Sequence, residues 1–198
     1  MKSRGGAGDD RMEGGLGDDS YLVDSRNDKI VEFRNEGIDT VRSSQSWTLH
    51  TNLEHLTLIG SSNLYGGGNA KANIIIGNDG NNTLYGGALG DELKGGDGVD
   101  TFLYLAATDS TVDSPDRILD LRFNEFIDLS AIDANSTING DQAFALVDEF
   151  TGAAGQMTLS YAADTTTTTV LMDINGDGVA DMRILLSGNH EDHTAWMF

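Results

Sequence analysis

The chain has 198 residues, room for one or two domains, and 38% of them are hydrophobic, enough for a core. It carries 32 acidic against 12 basic residues, a formal net charge of −20. That balance argues against nucleic acid as a partner, since phosphate binding needs clustered Lys and Arg, and favours a solvated acidic surface or bound cations. There is no Cys, so no disulfide staples the fold; the 25 glycines do not recur every third residue, which excludes collagen; and no apolar run is long enough to span a membrane.

In chain order, Met1-Lys2-Ser3-Arg4-Gly5-Gly6 is basic but has no apolar stretch behind it, so it is not a cleavable signal peptide. If the protein leaves the cell, it uses another route. A repeat begins at once. Residues 5–13, GGAGDDRME, and 14–22, GGLGDDSYL, both fit G-G-x-G-x-D-x-U-x, where U is a large apolar residue. Residues 95–103, GGDGVDTFL, fit equally well. Residues 77–85, GNDGNNTLY, and 86–94, GGALGDELK, fit with substitutions, and 68–76, GNAKANIII, fits more loosely. Between them the D-x-U spacing continues through Asp28 and Ile30, Asp39 and Val41, Glu54 and Leu56. Residues 23–65 therefore read as degenerate coils with longer loops; the alternative is an inserted loop pair.

Each unit has a physical reading. G-G-x-G-x-D is a tight turn whose glycines accept backbone conformations and close approaches that side chains resist. The following x-U-x is a short strand that points one side chain inward. The inward set is Met12, Tyr21, Ile75, Leu84, Leu93 and Phe102. Two units make one coil, and coils stack about 4.8 Å apart as parallel strands. The expected fold is all-β: a parallel β-roll, a right-handed solenoid, over 1–104, in which each coil buries only one or two large apolar residues. Its turns form two edges of carbonyls and carboxylates. Ca²⁺ takes about 6–8 oxygen ligands, whereas zinc wants His or Cys and magnesium a stricter octahedron, so calcium fits best, as several ions.

These nonapeptides resemble the RTX (repeats-in-toxin) β-roll of proteins exported by bacterial type I secretion. The resemblance implies that one turn offers the carbonyls of its second and fourth residues, the turn eighteen residues later those of its first and third, and that the position-six carboxylates complete the site. One site would use Asn78, Gly80, Asn82, Gly95, Asp97 and Asp100; another Asn69, Lys71, Asn73, Gly86, Ala88 and Asp91. A third would use Gly6, Gly8, Asp10, Val23, Ser25 and Asp28; Gly87, Leu89 and Asp91 would pair with Tyr104, Ala106 and Asp109. Gly15, Gly17 and Asp19 hold the same ligand positions in the second unit. Asn73 and Asn82 lack the usual charge, which implies weaker sites, and Lys71 and Leu89 stand where turn glycines belong. Further on, DRILDL at 116–121, IDLSAIDA at 127–134 and FTGAAG at 150–155 resemble the C-terminal domain of serralysin-type metalloproteases. That implies a mostly β cap over 105–198, ending in a segment, Trp196-Met197-Phe198, that the exporter reads; in an ordinary protein those residues would be a docked strand.

Asp173, Asn175, Asp177 and Asp181 match D-x-N-x-D-G-x-x-D, a spacing that gathers oxygens around a glycine turn as in EF-hand-like loops, but between strand-like flanks; the alternative is a polar hairpin turn. His190 and His193 are three apart, not the four of H-E-x-x-H, and read as a solvated tail. There is no G-x-S-x-G elbow and no Cys nucleophile. The expected function is a non-catalytic, secreted calcium module that folds on extracellular calcium and supports export of a larger protein whose active domain lies upstream. The rivals are a polysaccharide-binding module like the repeat modules of alginate epimerases, for which Arg34, Arg42, Lys71, Tyr65 and Tyr85 would supply part of a sugar stripe, and a surface adhesin.

Overall fold

The computed structural model describes residues 5–198; Met1, Lys2, Ser3 and Arg4, part of the N-terminal segment read above as no signal peptide, lie outside the described residues. The strands are short because each U residue is soon followed by a turn. They are β1 (Arg11–Glu13), β2 (Ser20–Val23), β3 (Lys29–Val31), β4 (Thr40–Ser43), β5 (Trp47–Thr48), β6 (His55–Leu58), β7 (Tyr65–Gly67), β8 (Ile74–Ile76) and β9 (Thr83–Tyr85). After them come β10 (Glu92–Lys94), β11 (Thr101–Leu103), β12 (Asp116–Ile118), β13 (Phe126–Asp128), β14 (Ala145–Leu146), β15 (Gln156–Ala162), β16 (Thr167–Asp173), β17 (Met182–Ser187) and β18 (Trp196–Met197).

The chain alternates between two faces. β2, β4, β6, β8, β10 and β12 stack in parallel on one, and β5, β7, β9, β11 and β13 on the other, while β1 and β3 form their own parallel pair. Register keeps the U residues above one another: Tyr21 on Val41, Leu56, Ile75, Leu93 and Ile118, and Leu84 on Phe102 and Ile127. All six residues expected inward are buried. On the β2 face the ladder is unbroken through the degenerate stretch, with longer turns absorbing the irregular spacing, whereas on the other face β3 and β5 belong to separate sheets.

Two features depart from a uniform roll. Between Trp47 and Leu64 six apolar side chains are buried (Trp47, Leu49, Leu53, Leu56, Leu58 and Leu64), against two (Leu84 and Leu93) between Leu84 and Thr101, a stretch of equal length. One or two buried residues per coil therefore describes the regular repeats and not the middle, where turn residues also point inward. Second, both ladders run past residue 104 and are finished by the far end of the chain: β17 pairs in parallel with β12, and β18 with β13. β15 and β16 then extend the first sheet antiparallel from β17, with β14 at its edge. Val170, Met172, Met182, Ile184 and Leu186 fill this cap and cover the last coil, which would otherwise expose its core.

Candidate cation sites on the two edges

The turns stack into two edges. One carries turns 14–19, 32–39, 49–54, 68–73, 86–91 and 104–115; the other carries 5–10, 24–28, 44–46, 59–64, 77–82, 95–100 and 119–125. A hydrogen-bonded rung recurs along both. The position-six carboxylate accepts the backbone N–H of its counterpart one coil earlier: Asp28 from Asp10, Asp39 from Asp19, Glu54 from Asp39, Asp91 from Asn73 and Asp100 from Asn82, at 2.6–2.9 Å. Folding that carboxylate back over its own turn leaves no room for a Cβ on Gly95, which would collide with Asp100. Gly96 and Gly98, at φ +94° and +100°, take the left-handed backbone that turns their carbonyls to the edge. Leu89 adopts the same conformation at φ 75°, so the turn survives the loss of its glycine with a strained residue.

Each rung uses one carboxylate oxygen, and the other is what matters chemically. Asp91, Asp100 and Asp116 are at most 1% exposed; the Oδ2 of Asp91 and of Asp100 has no hydrogen-bond partner, while Asp116 has the buried Tyr104 hydroxyl beside it. Burial, reinforced by Asp109 and opposed by the Asn73 N–H, pushes the Asp91 carboxyl up to about 7. Burial and then the neighbouring Asp91 push Asp116 up to about 8. Burial likewise raises Asp100, and takes Glu125, whose Oε1 also lacks a hydrogen bond, to about 7. Near the other end of the roll Asp19, Glu32 and Asp39 bring oxygens within 4.8 Å of one another, with the Tyr21 hydroxyl donating to Glu32. There burial, Asp39 and Glu36 raise Glu32 to about 7. Buried carboxylates of one sign gathered this closely are unstable unless a cation or protons neutralise them. The donor set is all oxygen and suits a hard divalent ion.

The expected site residues fall into this frame unevenly. Gly6, Gly8, Asp10, Ser25 and Asp28 meet where turns 5–10 and 24–28 stack; Asp28 accepts N–H groups at both oxygens, whereas Asp10 Oδ2 is unpartnered. Gly15, Gly17 and Asp19 lie opposite Glu36, Ile38 and Asp39 in the turn above. Gly80, Asn82, Gly95 and Asp100 meet as expected, but Asp97 is exposed and held by Arg122 at 3.2 Å. Gly86, Gly87, Ala88 and Asp91 stack on 68–73, where the Asn69 carbonyl accepts the Ala88 N–H at 3.0 Å. Asp109 is a correction: it is not the rung above Asp91 but caps its own short 3₁₀ turn, accepting from Leu105 and Ala106. Asp116 accepts the Asp91 N–H instead, at 2.9 Å, because the longer turn 104–115 shifts the register to twenty-five residues. Glu32, Asp116 and Glu125 were absent from the expected set. Asp116 and Glu125 carry the same signal as the others, a carboxylate two residues before the inward Ile118 and Ile127.

Three of the asparagines turn amide donors toward the preceding coil, while the Asn82 amide donates to Asn78 Oδ1 within its own turn. Asn69 Nδ2 donates to the carbonyls of His50 and Leu53, both at 2.8 Å, and Asn73 Nδ2 to that of Glu54 at 3.0 Å. Lys71 Nζ lies 2.7 Å from Glu54 Oε1. On the opposite edge Asn78 Nδ2 donates to Ser62 at 3.0 Å and Ile59 at 3.3 Å.

In the cap, the 173–181 loop closes on itself. Asp173 accepts from Gly176 and Gly178, Asp181 from Ile174 and Asn175, Asn175 from Asp177, and Asp177 from Val179. His193 is not in a solvated tail. It is 5% exposed and packs edge-on against Trp196, and burial and then His190 lower its pKa below the usual imidazole value.

The sequence profile described as Peptidase M10 serralysin C terminal matches residues 3–198. The metalloprotease AprA of Pseudomonas entomophila (strain L48) is 42% identical over 89 residues, 44% of this chain and 18% of that protein. Serralysin C of Dickeya chrysanthemi is 32% identical over 89 residues, 44% of this chain and 17% of that protein. The endo-1,3-1,4-beta-glycanase ExsH of Rhizobium meliloti (strain 1021) is 41% identical over 73 residues, 37% of this chain and 16% of that protein. The chain thus matches less than a fifth of each relative's length. Among solved structures, the AlgE6R2 subunit of the Azotobacter vinelandii mannuronan C5-epimerase superposes with a TM-score of 0.52 at 25% identity, covering 72% of this chain and 86% of that one.

Proposed function

The chain belongs to the serralysin C-terminal family of M10 peptidases, and from that premise we propose that it is the calcium-dependent folding and export module of a larger secreted protein. At the coarser level it is a calcium-binding RTX-type β-roll and a non-catalytic C-terminal part. The finer reading is that calcium outside the cell drives the roll to fold. The observation that carries it is the pair of buried, partnerless oxygens on Asp91 and Asp100, with the buried Asp116 carboxylate next to Asp91. With calcium scarce, these charges repel and hold the flanking coils open; with calcium supplied, binding energy becomes folding energy. The terminal segment that ends as β18 is the part an exporter would read before it docks beside β13.

Circular dichroism of the chain in chelator and then in rising calcium tests this. Parallel β-structure should grow cooperatively with a midpoint near the ~10⁻⁴–10⁻³ M of extracellular modules, and magnesium should do far less. A roll that is fully ordered in excess chelator overturns the proposal. A second reading, polysaccharide binding, is favoured only by the likeness to the epimerase module. Lys71, one member of the proposed sugar stripe, is already paired with Glu54. Micromolar binding of alginate at physiological salt would promote that reading.

A further inference from the structure

We propose that the middle level of the roll is built without calcium: on both edges, amide and ammonium groups of the chain stand where a cation would otherwise join the turns, so residues 47–85 form a metal-independent nucleus on which the calcium-dependent coils assemble. This rests on the calcium reading of the flanking turns and adds where that dependence stops.

The argument begins with the carbonyls. Where turns stack, carbonyl oxygens of one turn face the next, and something positive must sit between them. Between turns 49–54 and 68–73 the two N–H bonds of the Asn69 amide satisfy His50 and Leu53, the Asn73 amide satisfies Glu54, and the Lys71 ammonium neutralises the Glu54 carboxylate. Between turns 59–64 and 77–82 the Asn78 amide satisfies Ile59 and Ser62. The amide orientations are fixed from the other end: Asn69 Oδ1 accepts the Lys71 N–H at 2.9 Å, and Asn78 Oδ1 accepts the Gly80 N–H at 2.9 Å. Reversing either amide would face oxygen with oxygen and strand a backbone donor. A divalent ion does not fit among these groups, because the nearest atoms are N–H donors and an ammonium rather than ligands.

Packing points the same way independently. The coil under these bridges carries the six buried apolar side chains of 47–64, three times the number in the regular stretch 84–101. Burying aliphatic side chains stabilises a coil, so residues 47–64 have a hydrophobic reason to stay folded that the regular stretch 84–101 lacks. Its turns also hold few bare carboxylates: Glu54 is paired, and positions 73, 78 and 82 are asparagine.

Hydrogen exchange on the full chain, read by mass spectrometry in chelator and in calcium, decides the matter. In chelator, peptides within 47–85 should exchange at least ~10-fold more slowly than those within 5–40 and 86–128, and calcium should protect the flanks. The double variant Asn69→Asp, Asn78→Asp exchanges the donors for carboxylates and should lose the middle protection in chelator, with calcium restoring it. If the middle of the natural chain is as unprotected in chelator as the flanks, or the double variant keeps its protection there, the nucleus is refuted while the calcium reading stands. If every segment is protected in chelator, the calcium reading falls too.

Discussion

Two stretches of one edge solve the same problem with opposite chemistry. At 86–116, Asp91 and Asp116 each give one oxygen to the backbone and keep the other buried, with no cationic group of the chain beside it. At 49–73, Glu54 meets an ammonium and the carbonyls meet amides. The backbone ladder is the same in both. The two stretches therefore differ not in strand pairing but in the groups that close their turns.

The largest expected effect comes from pH in the absence of metal. Asp91, Glu32 and Glu125, raised to about 7, and Asp116, raised to about 8, start from unfolded values near 4. Because the folded state binds more protons, these groups stabilise the chelated chain fully below about pH 4, and that contribution is lost as pH rises through about 7–8. Urea midpoints of the chelated chain should therefore fall steadily between pH 4 and pH 8, and saturating calcium should abolish the fall. Midpoints in chelator that rise over this range would show that the bare carboxylates do not govern the flanking coils.

Next in size is Asp116→Ala, which removes the acceptor of the buried Asp91 N–H and a proposed ligand together. It should cost about 1–3 kcal/mol in calcium and move the calcium midpoint upward. Asp109→Ala should move that midpoint less, since Asp109 accepts from Leu105 and Ala106 in its own turn and not from the Asp91 backbone. Equal shifts by dichroism would mean the rung does not mark the ligand. The smallest effect is expected for Arg11→Ala. Its side chain is 62% exposed and its partner Glu13 is 51% exposed, so the pair should contribute under about 1 kcal/mol, with little change in ion stoichiometry by calorimetry.

The inward column was legible because U residues recur behind each D, and that rule runs through Val41 and Leu56 where the glycines fail. The same rule reaches Asp116–Ile118 and Glu125–Ile127, so those rungs were available to it beyond residue 104. Glu32 was not, because it opens an eight-residue turn outside the nonapeptide frame. The role of Asn69 and Asn78 was hidden for another reason: whether an amide presents oxygen or nitrogen depends on the neighbouring turn, nineteen residues away for the Asn69–His50 and Asn78–Ile59 bonds. His193 looked solvent-bound because nothing local announces that Trp196 will dock against a strand some seventy residues upstream.

That docking gives the solenoid a direction. At one end β17 has a parallel neighbour on one side and an antiparallel one on the other, and the sheet finishes at β14, two residues long and exposed. A strand so short offers little template for a second chain. At the opposite end of the same sheet β2 is the edge strand among the described residues. A further parallel coil would therefore meet a four-residue partner at β2, whereas at the other end of that sheet it would meet only the two residues of β14.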